Sequence, residues 1–132
     1  MGFFESRSKK ERLTVMQSAI IMAMADGELA EEEIAACAKV ATRLGLSDSE
    51  LNQVLSNPDS IDATIPESKV DRALNIADLA MVANADGVVD KSESEFLARM
   101  AIAYGITPEE YAKILVIVTG GGTPNMIVQE FS

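Results

Sequence analysis

Four carboxylates stand where they could hold a hard cation: Asp26 and Glu33 around one Asp-Gly turn, and Asp86 and Glu93 around a second turn sixty residues later. Aligned on the calcium loop of an EF-hand, Asp26 falls on position five, Gly27 on the glycine of position six and Glu33 on the bidentate position twelve. Asp86, Gly87 and Glu93 repeat the pattern. Leu29 and Val89 fill the apolar position eight. The front half of each loop departs from it, because positions one and three are Met22 and Met24 in one copy and Val82 and Asn84 in the other. Half a loop offers one Asp, one Glu and a carbonyl, whereas calcium takes about six to eight oxygens. Two half-loops facing each other would supply about six carboxylate oxygens, enough for Ca²⁺ or Mg²⁺.

The same residues have a structural use. Asp90-Lys91-Ser92-Glu93 is a capping pattern in which Glu93 bonds a helix N-terminus, and Asp-Gly is a common turn dipeptide. That use suits Glu33 less well, since Ala30 at the matching cap position has no side-chain acceptor. Spacing alone leaves metal binding and structural use both open. Glu28, Glu31 and Glu32 are either outer charge or an ordinary solvated face.

The elements that must position these residues read as helices throughout, in two copies. At an offset of sixty, Ala23 matches Ala83, Ala38 matches Ala98, Gly45 matches Gly105 and Glu50 matches Glu110. Ser8-Lys9-Lys10-Glu11 is a capping box that opens a helix running to about Ala25, with Leu13, Met16, Ile20 and Ala23 at helical spacing. A second helix over about 31–44 carries Ile34, Cys37, Ala38, Ala41 and Leu44 on one stripe and ends at Gly45. Ser47-Asp48-Ser49-Glu50 opens a third, to about Leu55. Residues 57–66 form a polar linker with room for one helical turn, bounded by Pro58 and Pro66. The second copy has a long helix through Val70, Leu74, Ala77, Met81 and Ala85. A helix with Leu97, Met100, Ala101 and Tyr104 follows and closes at Gly105. The last, with Tyr111, Ile114, Leu115 and Val118, starts at the capping box Thr107-Pro108-Glu109-Glu110. The expected fold is all-α: one domain over 1–132, with repeat 1 at about 9–56, repeat 2 at about 67–118 and a tail over 119–132. Gly120-Gly121-Gly122 reads as a flexible exit, and the apolar residues after Met126 could dock on the core. The N-terminus reads as a frayed end, so that loss of residues 1–8 is expected to leave the core folded.

Composition excludes more than it selects. The chain has 132 residues, 21 acidic against 11 basic, for a formal charge of −10. Nucleic-acid binding rests on Lys and Arg, so this balance points to a cation or a basic protein surface. With no histidine and one cysteine, the commonest general base, the commonest zinc ligand and an intrachain disulfide are all missing. Cys37 lies on an apolar stripe and reads as inert and buried, which leaves no redox role. Methionines 22 and 24 could hold soft Cu(I), but Val82 and Asn84 replace them in the second copy, so they read as packing. No stretch has the roughly 20 apolar residues of a membrane span. Met1-Gly2-Phe3-Phe4-Glu5-Ser6 formally fits an acylation pattern, and Phe3 and Phe4 ahead of Arg7, Lys9, Lys10 and Arg12 could touch an anionic membrane. A cytoplasmic location is expected.

The runs Met24-Ala25-Asp26-Gly27 into Glu33 and Leu44-Gly45-Leu46-Ser47, with their second copies Asn84-Ala85-Asp86-Gly87 into Glu93 and Tyr104-Gly105-Ile106-Thr107, resemble the TerB-like proteins of tellurite resistance. These proteins are related to the N-terminal domain of DjlA-type co-chaperones, and the resemblance covers nearly the whole chain. It implies a helical fold of two pseudo-symmetric repeats and a cytoplasmic stress-response protein; it does not imply an enzyme, and neither enzymatic activity nor an organic cofactor is expected. It also implies an association with membrane-bound complexes through a protein partner. The divalent-cation site implied by the resemblance would be Asp26, Glu33, Asp86 and Glu93. A metal-free interaction module with an acidic surface is the other expected use.

Overall fold

A computed structural model of the chain describes residues 7–24, 31–60, 62–85 and 91–132. Among the described residues the chain is all helical, with seven α-helices and no strand. They are α1 (Lys9–Ala23), α2 (Glu31–Arg43), α3 (Asp48–Ser56), α4 (Lys69–Ala83), α5 (Lys91–Ala103), α6 (Pro108–Thr119) and α7 (Pro124–Phe131), with a single 3₁₀ turn over Pro58–Ser60.

Helix starts follow the capping signals. Ser8, Ser47 and Thr107 each accept the backbone N–H of the residue three on, and Glu11, Glu50 and Glu110 return the bond in full capping boxes. Such caps stabilise a helix by about 1 kcal/mol. Helix ends follow the glycines. Gly45 and Gly105 take φ of +74° and +73°, and the N–H groups of Leu46 and Ile106 bond back to Ala41 and Ala101. This is the Schellman closure, which needs a residue without a Cβ penalty at positive φ. The bounds of α1 and α4, and of α2 and α5, differ by sixty at both ends. So do the ion pairs Lys9–Glu50 (2.9 Å) and Lys69–Glu110 (2.5 Å), which tie the start of α1 to α3 and the start of α4 to α6.

Packing is arranged around α4, which touches α1, α2, α5, α6 and α7. Its buried residues include Leu74, Ile76, Leu79 and Val82, and α1 contributes Met16, Ile20 and Met22. The linker lies along α1: the Thr64 N–H donates to Thr14 Oγ1 at 2.8 Å, and Gln17 Nε2 donates to the Pro58 carbonyl at 2.9 Å.

Five sequence expectations need correction. The N-terminus is not frayed at Arg7, which is buried and ion-paired to α4. The glycine triplet is not a flexible exit: Gly121 (φ +78°) and Gly122 donate to the carbonyls of Val118 and Ile117 and close α6 in the same Schellman form. That closure turns the chain into α7, whose Ile127 is fully buried against α4 and α6. Residues 124–131 are therefore a helix of the bundle and not a tail. On α2, Cys37, Ala41 and Leu44 face the core as expected, but Ile34 and Ala38 are exposed, and Val40 and Glu33 take the inward places. Met22 is buried as expected, whereas Met24 is exposed.

Candidate functional site

Of the four carboxylates singled out by spacing, Asp26 and Asp86 lie outside the described residues, as do the Asp-Gly turns themselves. Glu33 and Glu93 are the third residues of α2 and α5. Both are buried, at 8% and 6% of full exposure. A carboxylate in a first helical turn is favoured by the backbone dipole, but that effect is available at the surface; burial costs several kcal/mol unless the charge is compensated. Among the described residues no group of three or more carboxylate or thiol side chains is close enough to hold a metal. The described pair are all-oxygen donors, the chemistry that suits Ca²⁺ or Mg²⁺ and not a thiophilic ion.

Glu33 acts on Cys37, one turn further along α2. The Cys37 thiol is raised from 9.0 to about 11, mainly by burial and further by the negative charge of Glu33. A thiol held protonated is neither a nucleophile nor a metal ligand at neutral pH, in line with the inert reading. Glu31 and Glu32 point to solvent.

A second polar cluster escaped the sequence reading. Asn75 and Asp78 are fully buried on α4. Arg7 reaches in with one guanidinium nitrogen 2.8 Å from Asn75 Oδ1 and 2.8 Å from Asp78 Oδ2. The other Asp78 oxygen pairs with Arg43 at the end of α2. The side chains of Arg7 and Asp78 are 0% and 2% exposed, while Arg43 keeps 24%. Tyr104 borders this cluster: burial raises its hydroxyl pKa, and Asn75 and Arg7 partly oppose that. Arg12 adds a brace, donating to the carbonyls of Arg7 and Ser8 from Nε and to Leu44 from Nη1. A signal was present in the sequence, because Asn75 and Asp78 are the only polar residues between Ala73 and Ala83.

Beside the cluster, α2 and α4 leave a surface groove of about 360 Å³ lined by Ala35, Ala36, Val40, Met81 and Ala85, with Glu32 and Lys39 on its rim. Residues 3–56 match the family model described as tellurite resistance protein TerB. Over these residues, less than half of its length, the chain is similar to TerB. The TerB match ends with the last residue of α3 and includes Asp26, Glu33, Arg7 and Arg43, whereas Asp78 and the second acidic turn follow it. No curated protein and no solved structure matches the chain. Among the described residues, no helix of the chain is long and apolar enough to cross a membrane.

Proposed function

We propose that this TerB-like chain is a binding protein of the tellurite-resistance type, not an enzyme, that holds Ca²⁺ or Mg²⁺ between two repeats through Asp26, Glu33, Asp86 and Glu93. The carrying observation is the burial of Glu33 and Glu93 at matching places, each third in a helix whose bounds recur sixty residues on. A surface cap would repeat the position without repeating the burial. The packing partners favour a pseudo-twofold arrangement: α1 meets α2 and α3 as α4 meets α5 and α6, and α2 crosses to α4 as α5 crosses to α1. A cation there would neutralise carboxylates contributed by both halves and stiffen the bundle. The setting is a cytoplasmic stress response, with a protein partner in a membrane-associated complex and no nucleic acid, given the −10 charge.

Titration calorimetry with Ca²⁺, Mg²⁺ and Mn²⁺ on the wild type, Glu33→Gln and Glu93→Gln tests this reading. The expected result is a heat of binding, a rise in Tm by mass action and loss of both on either substitution, since a half-site alone holds too few oxygens. No heat and no change in Tm at millimolar ion would sink it. The second reading, a metal-free interaction module with an acidic surface, is favoured by the open apolar groove between α2 and α4.

A further inference from the structure

The exposed edge of α2 along that groove has an order of charge that selects its own copy. Glu32, Ala36 and Lys39 lie three to four residues apart and therefore share one helical line, with Ala35 beside Ala36. Glu32 stands at the start of the line, Lys39 at its end and only small side chains between. Glu32 and Lys39 are exposed and lie about 10 Å apart along the helix, too far to pair with each other. None of the ion pairs among the described residues uses either of them.

We infer that this groove is a homodimer interface in which two α2 helices pack antiparallel about a twofold axis. An axis passing between Ala35 and Ala36 sets Glu32 against Lys39 of the second copy and Lys39 against its Glu32. The same register sets Ala35 against Ala36 of the second copy, where small residues let the two helices approach to about 8 Å. The contact is isologous, so one acid and one base on each chain give two ion pairs. It also covers Met81 on the groove floor, which is otherwise partly open to water. A wholly basic partner helix would answer Glu32 but oppose Lys39, and a wholly acidic one the reverse; a second α2 answers both. Repulsion between two chains of charge −10 is screened beyond about 8 Å at physiological salt, whereas the proposed pairs are in contact.

Charge exchange tests the interface on the full chain, in chelator so that the outcome is independent of the proposed cation. Sedimentation velocity from about 1 µM to about 1 mM chain should reveal a concentration-dependent dimer. Glu32→Lys alone and Lys39→Glu alone each turn both contacts repulsive and should weaken it by about tenfold or more, while the double exchange should return it to near the wild-type constant. Circular dichroism checks that each variant keeps its helix. A monomer across the whole range would overturn the inference. So would a dimer whose constant is unmoved by the single exchanges, or one that is weakened by the double exchange as much as by the singles.

Discussion

Arg7 and Asp78 are 71 positions apart in the chain, and their charged groups are 2.8 Å apart in the fold, with side chains 0% and 2% exposed. Neither charge is tolerable in that place alone. The guanidinium satisfies the Asn75 Oδ1 with the same nitrogen, and the second carboxylate oxygen is satisfied by Arg43. A buried pair of this kind adds little net stability against an apolar replacement, but loss of one partner strands the other. Its effect is to fix where the start of α1 and the end of α2 meet α4.

Removing Asp78 should therefore hurt most. Asp78→Ala leaves two arginines facing an empty place and is expected to cost about 3–5 kcal/mol. Arg7→Ala should cost less, because Asp78 keeps Arg43, and Arg43→Ala least, because that side chain is partly in water. Urea denaturation of the three variants gives the order directly. Equal costs, or none at Arg7, would contradict the anchoring role.

Acid should loosen the ties that Glu50 and Glu110 make to the starts of α1 and α4. Glu50 is held from 4.5 down to about 2, first by the Ser47 N–H and then by Lys9; Glu110 is held down to about 2, first by Lys69 and then by the Thr107 N–H. Depressed folded-state values mean stability that is complete above about 4.5 and is lost as pH falls toward about 2. Tm against pH should fall through that window, and the double substitution Glu50→Gln with Glu110→Gln should flatten the curve. Added salt should shrink the effect, since both pairs face solvent.

Cys37 should be silent in the folded protein. With its pKa near 11 and no exposure, it is expected to resist a thiol reagent at pH 8 and to react fully in denaturant. Fast labelling of native protein would mean that α2 opens readily. Glu33→Gln should lower the Cys37 pKa, because the second cause of its shift is removed.

The turn into α7 should be intolerant at Gly122. A Cβ there would lie 2.5 Å from Ile117 Cγ2 and 2.7 Å from the Ile117 carbonyl oxygen, so Gly122→Ala must shift the turn. The expected cost is about 1–3 kcal/mol. Ile127→Ala empties the fully buried site that α7 fills and should cost about 2–5 kcal/mol. Thermal unfolding reads both; an unchanged Tm for Gly122→Ala would show that α7 contributes nothing to the bundle.

Local signals in the sequence carried the helices well. Capping boxes at Ser8, Ser47 and Thr107 and closing glycines at Gly45 and Gly105 are short-range chemistry, and the structure uses each of them. Long-range pairing was not readable. Arg7 sits in a run of charges and looks solvated until Asp78, folded onto it from the middle of the chain, supplies a partner. The glycine triplet looked loose because its closure depends on the carbonyls of Ile117 and Val118. Of the four carboxylates singled out, the places of Glu33 and Glu93 in first helical turns followed from spacing, but their burial depends on neighbouring helices, which no spacing records.

The position of α4 also governs the order in which the protein can mature on a ribosome. Everything translated before Lys69 emerges without the helix that α1 and α2 close on, so Arg7 stays hydrated and the inner faces of those helices stay wet until mid-chain is released. Since α7 packs on α4 as well, that face of α4 stays uncovered until α7 has left the exit tunnel. A nascent chain paused after Ser56 would hold all of the TerB match and still be an open, aggregation-prone intermediate.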